Sequence, residues 1–212
     1  MLSLQLPQGK LEVLCVGAHP DDIEIGCGAT LLTLAAVREM RMTSLVLTGT
    51  GERAEEATKA ARLFAPGAEV DVRVAGLPDG RLPARWGEVK ETLEEVGRDV
   101  RPDVIFAPRR DDAHQDHRLI AELVPTVWRD AFVLGYEIPK WDGDMAAATH
   151  LVPVADDVAR RKVDLLTQCF ASQTSRDWWD DELFLGLMRL RGVECRSRYA
   201  EAFTVAKAVL EF

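Results

Sequence analysis

Two short stretches of the sequence concentrate side chains that bind metals and transfer protons. The first stretch, HPDDIE, contributes His19, Asp21, Asp22 and Glu24. The second stretch, HQDHR, contributes His114, Asp116 and His117. Imidazole nitrogens and carboxylate oxygens are good ligands for zinc and similar divalent cations. The two stretches together therefore predict a metal site.

The residue types favour a catalytic metal over a structural one. Catalytic zinc sites usually have three protein ligands and an open position for water. HPDD supplies one histidine and one aspartate, and either His114 or His117 can supply the third ligand. The four cysteines are widely spaced and form no C-x-x-C pair, so a closed cysteine site and a disulfide framework are not expected. Taken singly, HPDD also fits a helix cap and HQDH a solvated loop.

The elements that must position these residues follow from the hydrophobic pattern. Strands are predicted at residues 11–16, 43–48, 70–74, 103–107, 132–139 and 202–212. Helices are predicted at residues 28–41, 53–64, 86–100, 156–170 and 180–191. Short apolar strands that alternate with helices predict an α/β fold with a Rossmann-like, doubly wound, mostly parallel sheet. No repeat or linker divides the chain, so we expect one domain over residues 1–212.

Three polar clusters come directly after predicted strands. HPDD follows the first strand, TGTGER the second and PRRDDAHQDHR the fourth. Ligands of open α/β sheets bind outside the carboxyl ends of the strands, so these clusters are expected to converge. Arg53, in TGTGER, either binds a substrate group or pairs with Glu56 at the start of a helix, and the pattern leaves both open. Gly26 and Gly28 are expected to turn the chain into the first helix.

Composition restricts the partners and the location. The 26 basic and 35 acidic residues give a net charge of −9, without the basic footprint of a protein that binds nucleic acid or anionic membranes. No apolar run approaches the length of about 18 residues that a membrane span requires, and no secretion signal is evident. We expect a cytoplasmic protein with a small-molecule substrate, and assembly into a homo-oligomer is left open.

The two motifs resemble those of a known enzyme family. AHPDDIEIGCGATL and HQDHR are similar to the signatures of the PIG-L/LmbE-like zinc-dependent N-acetylglucosaminyl deacetylases. TGTGER, KVDLLTQCFASQ and YAEAF extend the resemblance over most of the chain. Family members remove the acetyl group from N-acetylglucosamine-type sugars. The resemblance therefore implies hydrolysis of an acetamide on an amino sugar or its conjugate, with Zn²⁺, or another divalent metal such as Fe²⁺, as the cofactor.

The resemblance also implies a role for each motif residue. Its metal ligands are His19, Asp22 and His117. Its catalytic residues are Asp21 as general base, His114 as oxyanion stabiliser or proton donor, and Asp116 as the residue that orients His114. Many members have glutamate directly after the two aspartates, whereas this chain has Ile23 there and Glu24 one residue later. Glu24 is grouped with Arg53 as a candidate for binding the substrate.

Three other functions compete with this interpretation. A phosphoesterase can use similar ligands, but it usually holds two metals and needs more of them. A nucleotide-binding module fits the sheet pattern, but the G-x-G-x-x-G turn is absent after the first strand. A purely structural zinc site would be expected to be closed and rich in cysteine. Metal stoichiometry and coenzyme binding distinguish these alternatives.

Overall fold

The computed structural model describes residues 5–6 and 8–209. Its strands are β1 (Leu11–Gly17), β2 (Met40–Thr48), β3 (Glu69–Leu77), β4 (Val104–Pro108), β5 (Phe132–Tyr136), β6 (His150–Val154) and β7 (Tyr199–Thr204). Its α-helices are α1 (Asp22–Val37), α2 (Glu52–Phe64), α3 (Trp86–Asp99), α4 (Gln115–Val127), α5 (Asp156–Cys169) and α6 (Asp181–Cys195). A short 3-10 helix covers Leu82–Arg85.

The seven strands form one mixed sheet in the order β3-β2-β1-β4-β5-β7-β6. The first five strands are parallel, and β7 runs antiparallel to its two neighbours, β5 and β6. This arrangement confirms the predicted α/β fold with a mostly parallel sheet. The strand order changes direction between β1 and β4, and that crevice is where such sheets bind ligands.

Helices cover both faces of the sheet and bury two separate cores. One core joins the sheet to α1, α2, α5 and α6, with Phe64, Tyr136 and Phe170 fully buried. The other core joins it to α3 and α4, with Leu93 and Ile120 fully buried. Burial on both faces explains why the central strands read as continuous apolar runs. The packed sheet gives the polar residues at its carboxyl edge a rigid support.

The boundaries of the first helix differ from the prediction. α1 begins at Asp22, before the predicted start at residue 28, because HPDD itself leads into the helix with Asp21 as N-cap residue. α1 ends at Val37, because Arg38 is extended and the next residues pair with β1 as strand β2. Gly26 and Gly28 therefore lie inside the helix and do not form the predicted turn into it.

Two C-terminal strands are shorter than predicted, whereas the last helix continues to Cys195, past the predicted end at residue 191. The strand expected at residues 132–139 ends at Tyr136. The last strand begins at Tyr199, before the predicted start at residue 202, because Tyr199 and Ala200 pair with β6. It ends at Thr204, and the predicted residues 210–212 lie outside the described residues. Among the described helices, none has the length and apolar character needed to cross a membrane.

Candidate metal centre

The two histidine-containing motifs lie side by side at the carboxyl edge of the sheet. β1 and β4 are paired neighbours, and each of them leads into one motif. HPDD occupies the connection from β1 to α1, while HQDH forms the start of α4. The predicted convergence of these two motifs is confirmed for His19, His114 and His117, whose rings lie 4.8–5.2 Å apart between centroids.

Asp22 is fixed by the backbone of the turn that precedes it. Its Oδ2 atom accepts hydrogen bonds from the backbone amides of Ala18 and His19, both at 2.8 Å. Burial alone would raise the pKa of Asp22, but the adjacent His117 and His19 hold it well below its usual range. A buried carboxylate is therefore kept ionised at the start of α1.

Three donor atoms from the predicted ligands form a compact triangle. Nδ1 of His19 lies 3.2 Å from Nε2 of His117 and 3.4 Å from Oδ2 of Asp22. Nε2 of His117 lies 3.2 Å from the same Asp22 oxygen. Ligands of a tetrahedral zinc with bonds of about 2.0–2.1 Å are separated by about 3.3–3.4 Å. These residues therefore fit a tetrahedral divalent cation with three protein ligands.

His117 is held by a carboxylate that the sequence analysis did not include among the site residues. Oδ2 of the buried Asp112 lies 3.0 Å from Nδ1 of His117, which leaves Nε2 directed at the triangle. Asp112 also contacts the Lys140 ammonium at 3.0 Å and accepts from the His114 backbone amide at 2.8 Å. A carboxylate on the far nitrogen fixes the ring and tautomer of a metal-binding histidine.

The carboxylates also change the pKa values of the two ligand histidines. Burial alone would lower the pKa of His19, but Asp22 and the other nearby carboxylates raise it to about 12. Burial likewise opposes the charge on His117, while Asp22 and Asp112 raise its pKa to about 9. Without a metal, the nearby carboxylates thus favour the charged form of each ring.

His114 has the opposite character. Burial, and then the neighbouring His117 and His19, lower its pKa. Its Nδ1 accepts from the Asp116 backbone amide at 3.2 Å, which assigns the ring proton to Nε2. His114 is therefore a neutral ring that offers one N–H donor beside the triangle.

The predicted contact between Asp116 and His114 is made by the backbone and not by the carboxylate. The Asp116 carboxylate is fully buried and accepts from the backbone amides of Gly80, at 2.8 Å, and Leu82, at 3.1 Å. One of its oxygens lies 3.5 Å from Nε2 of His19. Asp116 therefore fixes the loop after β3 against the metal centre, and a role in orienting His114 through its carboxylate stays a prediction.

The loop after β3 brings a further carboxylate to the centre. Asp79 is exposed, and its Oδ1 atom lies 2.9 Å from Nε2 of His19. The contact lacks hydrogen-bond geometry, and this buried nitrogen has no hydrogen-bond partner within the described part of the chain. His19, Asp79 and Asp116 thus form a second group of potential ligands. The sequence analysis missed Asp79, although it follows a strand as the other clusters do.

The predicted base, Asp21, forms an ion pair with Arg53. Nη2 of Arg53 lies 3.1 Å from Oδ2 of Asp21, and Nη1 donates to Glu56 at 3.0 Å. Glu56 also accepts from the backbone amide and hydroxyl of Ser172. Arg53 thus makes the predicted pair with Glu56 and also contacts Asp21, while its binding of a substrate group stays a prediction. Burial raises the pKa of Asp21 and the Arg53 charge opposes that shift.

Glu24 is buried beneath the centre rather than at its surface. Its side chain belongs to the first turns of α1, and the residue is 2 % exposed. Burial raises the pKa of Glu24 to about 8, and the neighbouring aspartates add to the shift. Its assignment to substrate binding stays a prediction, although a side chain buried to this extent has almost no surface that a ligand could reach.

Comparison with known proteins identifies relatives among deacetylases. The family model PIG-L, described as GlcNAc-PI de-N-acetylase, matches residues 14–128, which include both motifs. The protein described as "Uncharacterized deacetylase YaiS" of Escherichia coli (strain K12) is 30 % identical over 140 residues, which cover 60 % of this chain and 74 % of YaiS. The matched region thus contains His19, Asp22 and His117.

Solved structures share the fold over nearly the whole chain. The N,N'-diacetylchitobiose deacetylase from Pyrococcus horikoshii has a TM-score of 0.70 and 22 % identity, covering 92 % of this chain and 83 % of that one. GalB, the 4-carboxy-2-hydroxymuconate hydratase from Pseudomonas putida KT2440, has a TM-score of 0.78 and 17 % identity, covering 95 % and 98 %. At these identities the likeness concerns the fold alone, and a hydratase on the same fold means that function has to be argued from the site.

Proposed function

The chain belongs to the PIG-L family of deacetylases, and from this premise we propose that it is a zinc-dependent hydrolase. The proposed reaction removes the acetyl group from an N-acetylated amino sugar of the N-acetylglucosamine type, or from its conjugate. Fe²⁺ is the alternative cofactor, because nitrogen and oxygen ligands accept both ions. The observation that carries the proposal is the triangle of donor atoms on His19, Asp22 and His117, with edges of 3.2–3.4 Å.

The side chains around the triangle can supply the remaining chemistry. A bound divalent metal would polarise the amide carbonyl and lower the pKa of a water molecule toward about 7. Asp21 follows the ligand His19 by two positions, and its raised pKa makes it a stronger base than an ordinary aspartate. The Nε2–H of neutral His114 can donate to the carbonyl oxygen as negative charge develops there. Arg53 holds the Asp21 carboxylate in place.

The proposed role of Asp21 is tested by replacing it with an isosteric amide. Asp21→Asn should retain the metal but lose turnover by about 10²- to 10⁴-fold, because the attacking water loses its base. Acetate release from N-acetylglucosamine and from diacetylchitobiose, together with metal content, measures both effects. Asp99→Asn, which alters an exposed ion pair with Arg73, is the matched control and should behave as wild type. Full activity in Asp21→Asn would remove Asp21 from the mechanism.

Two segments tied to residues of the candidate metal centre favour a substrate with more than one ring. Lys140 anchors residues 137–149 to Asp112, while Ser172 anchors residues 170–180 to Glu56. The segments meet where Trp141 and Trp178 pack edge to face, with ring centroids 6.0 Å apart. Trp141 is 69 % exposed, and an exposed aromatic face suits a sugar or aromatic ring. We therefore favour a conjugate, whose second ring would lie against Trp141, over a free monosaccharide.

A two-metal phosphoesterase remains the second candidate because of one observation. His19, Asp79 and Asp116 form a second group of potential ligands that shares His19 with the triangle. However, the Asp116 carboxylate already accepts two backbone amides, so a second metal would compete with the anchor of the loop after β3. We therefore favour one metal. Elemental analysis decides between them: about one metal per chain supports the deacetylase, and two metals with release of phosphate from a phosphoester support the alternative.

A further inference from the structure

The helix that leaves the candidate metal centre is broken. Within α1, Cys27 has φ −140° and ψ 15°, so the helix consists of a first segment, residues 22–26, and a second segment, residues 28–37. A break in the hydrogen-bond ladder leaves carbonyl groups without partners before it and amide groups without partners after it. In a buried helix these groups need partners from elsewhere in the chain.

Close packing accounts for the position of the break. A Cβ atom on Gly26 would lie 2.3 Å from the ring of Tyr136, and one on Gly28 would lie 2.6 Å from Phe64. The backbone on each side of Cys27 is therefore pressed against the sheet and against α2. Only residues without a side chain permit this approach.

Glu201 caps the second segment from the far end of the sequence. Its two carboxylate oxygens accept hydrogen bonds from the backbone amides of Ala29, at 2.9 Å, and Thr30, at 2.7 Å. These are the amides that the break leaves without a helical partner. Glu201 belongs to β7 and is 4 % exposed, so the cap reaches the helix through the protein core.

Lys162 completes the arrangement by binding both sides of the break. Its ammonium group donates to the backbone carbonyl of Ile25 at 2.6 Å and to Glu201 at 2.7 Å. Lys162 belongs to α5 and is 3 % exposed. Lys162 thus donates to the C-terminal end of the first segment, and the Glu201 carboxylate accepts from the N-terminal end of the second.

Stability alone does not explain a buried ion pair at this place. Replacing such a pair with well-packed apolar residues is often neutral or stabilising, because desolvation offsets most of the Coulomb attraction. The first segment is short, and its two ends are fixed by hydrogen bonds: the Asp22 carboxylate binds the preceding turn, and Lys162 binds Ile25. The position of this segment sets the position of Asp21 and Asp22.

We propose that Lys162 and Glu201 are positioning residues that fix the first segment of α1 and thereby place the Asp22 carboxylate for metal binding, with the base Asp21 directly before it. The inference rests on the proposed function, since it presumes a metal on the triangle. It assigns a role in the centre to two residues that contact neither the substrate nor the predicted ligands.

The test compares metal affinity with thermal stability in Glu201→Gln. The Kd for Zn²⁺ is measured by chelator competition, and the visible spectrum of the Co²⁺ form reports ligand geometry. We expect the Kd to rise about 10- to 100-fold, as for other residues that orient metal ligands. The matched control is Glu137→Gln, which breaks the buried Arg191–Glu137 pair at 2.7 Å. Glu137 borders the same small cavity as Ile25 and Lys162, but its carboxylate accepts from Arg191 and not from α1. It should lower the Tm and leave the Kd unchanged.

A double variant keeps the test decisive if Glu201→Gln does not fold. Lys162→Met with Glu201→Gln removes both charges, so no unpaired charge is buried and the Tm should recover. The Kd should stay about 10- to 100-fold weaker, because replacing Lys162 also removes the donor to the Ile25 carbonyl.

Recovery of both the Tm and the Kd would assign the pair a purely structural role and overturn the proposal. Wild-type Kd and Co²⁺ spectrum in folded Glu201→Gln would do the same while leaving the proposed function intact. A wild-type protein that binds no metal overturns both.

Discussion

Metal binding should release protons, because neighbouring carboxylates raise the pKa of both ligand histidines and so favour their protonated forms. Their pKa values are about 12 for His19 and about 9 for His117. Both shifts are upward, so both rings carry a proton at pH 7.5 and must lose it to coordinate a metal. The apparent affinity for metal should therefore rise with pH.

The expected number of protons follows from these values. At pH 7.5, His19 and His117 together should release about two protons, whereas histidines with the ordinary pKa of about 6.5 would release about 0.2. A metal-bound water with a pKa near 7 adds up to about one proton in either case. The slope of log affinity against pH should fall by about one above pH 9, where His117 is already neutral.

Isothermal titration calorimetry measures this number directly. Zn²⁺ is titrated at pH 7.5 into metal-free protein in buffers of different ionisation enthalpy, and the slope of observed enthalpy against ionisation enthalpy gives the protons released. His150→Ala, which removes a histidine of β6 outside the centre, is the control and should give the wild-type slope. A release of one proton or fewer would refute the reasoning, because the carboxylates would then not hold the histidines in their charged form.

Three further predictions concern single residues. Asp112→Ala should weaken Zn²⁺ binding about 10- to 100-fold in chelator competition, because His117 loses the carboxylate that orients its ring. Gly26→Ala should lower the free energy of unfolding by about 1–3 kcal/mol or more in urea titrations, because its methyl group would overlap the Tyr136 ring. Trp141→Ala should raise the KM for diacetylchitobiose about 2- to 10-fold and leave that for N-acetylglucosamine unchanged.

Each of these variants has a matched control in the chain. Asp111→Ala removes an exposed neighbouring carboxylate, and metal binding should not change. Gly186→Ala adds a methyl group where nothing lies within 4 Å, so stability should not fall. Trp86→Ala removes another exposed tryptophan and should leave both KM values unchanged. The corresponding reasoning fails if a variant and its control give equal effects.

The sequence predicted the parts of the fold that depend on local pattern. β1 and β4 are short apolar runs because helices cover both of their faces, and polar clusters after such strands converge wherever the strands are parallel. For this reason the meeting of His19 and His117 could be predicted across 98 residues. The start of α1 was predicted too late because Gly26 and Gly28 were expected to turn the chain into the helix, although HPDD was also considered as a helix cap and aspartate is a common N-cap residue.

The supporting residues could not be predicted, because their partners are remote and no spacing marks them. Glu201 caps amides that precede it by 172 and 171 residues in the sequence. The residues that flank Glu201 in the sequence give no indication of a break in so distant a helix. Asp112 and Asp79 had a weak signal, since both follow strands of the parallel sheet. Asp79 was not identified because the strand was predicted to end at residue 74, so that Asp79 did not directly follow it, whereas the strand continues to Leu77.

The position of β7 also bears on the order in which the chain can fold. A ribosome makes the three predicted ligands and all five parallel strands before it makes Glu201. The parallel part of the sheet can pair without β7, but the break in α1 is capped only after β7 has inserted between β5 and β6. Contacts across so many residues form slowly, because closing a long loop must precede them. If Glu201 has the role proposed above, the chain reaches its full affinity for metal only after β7 has joined the sheet.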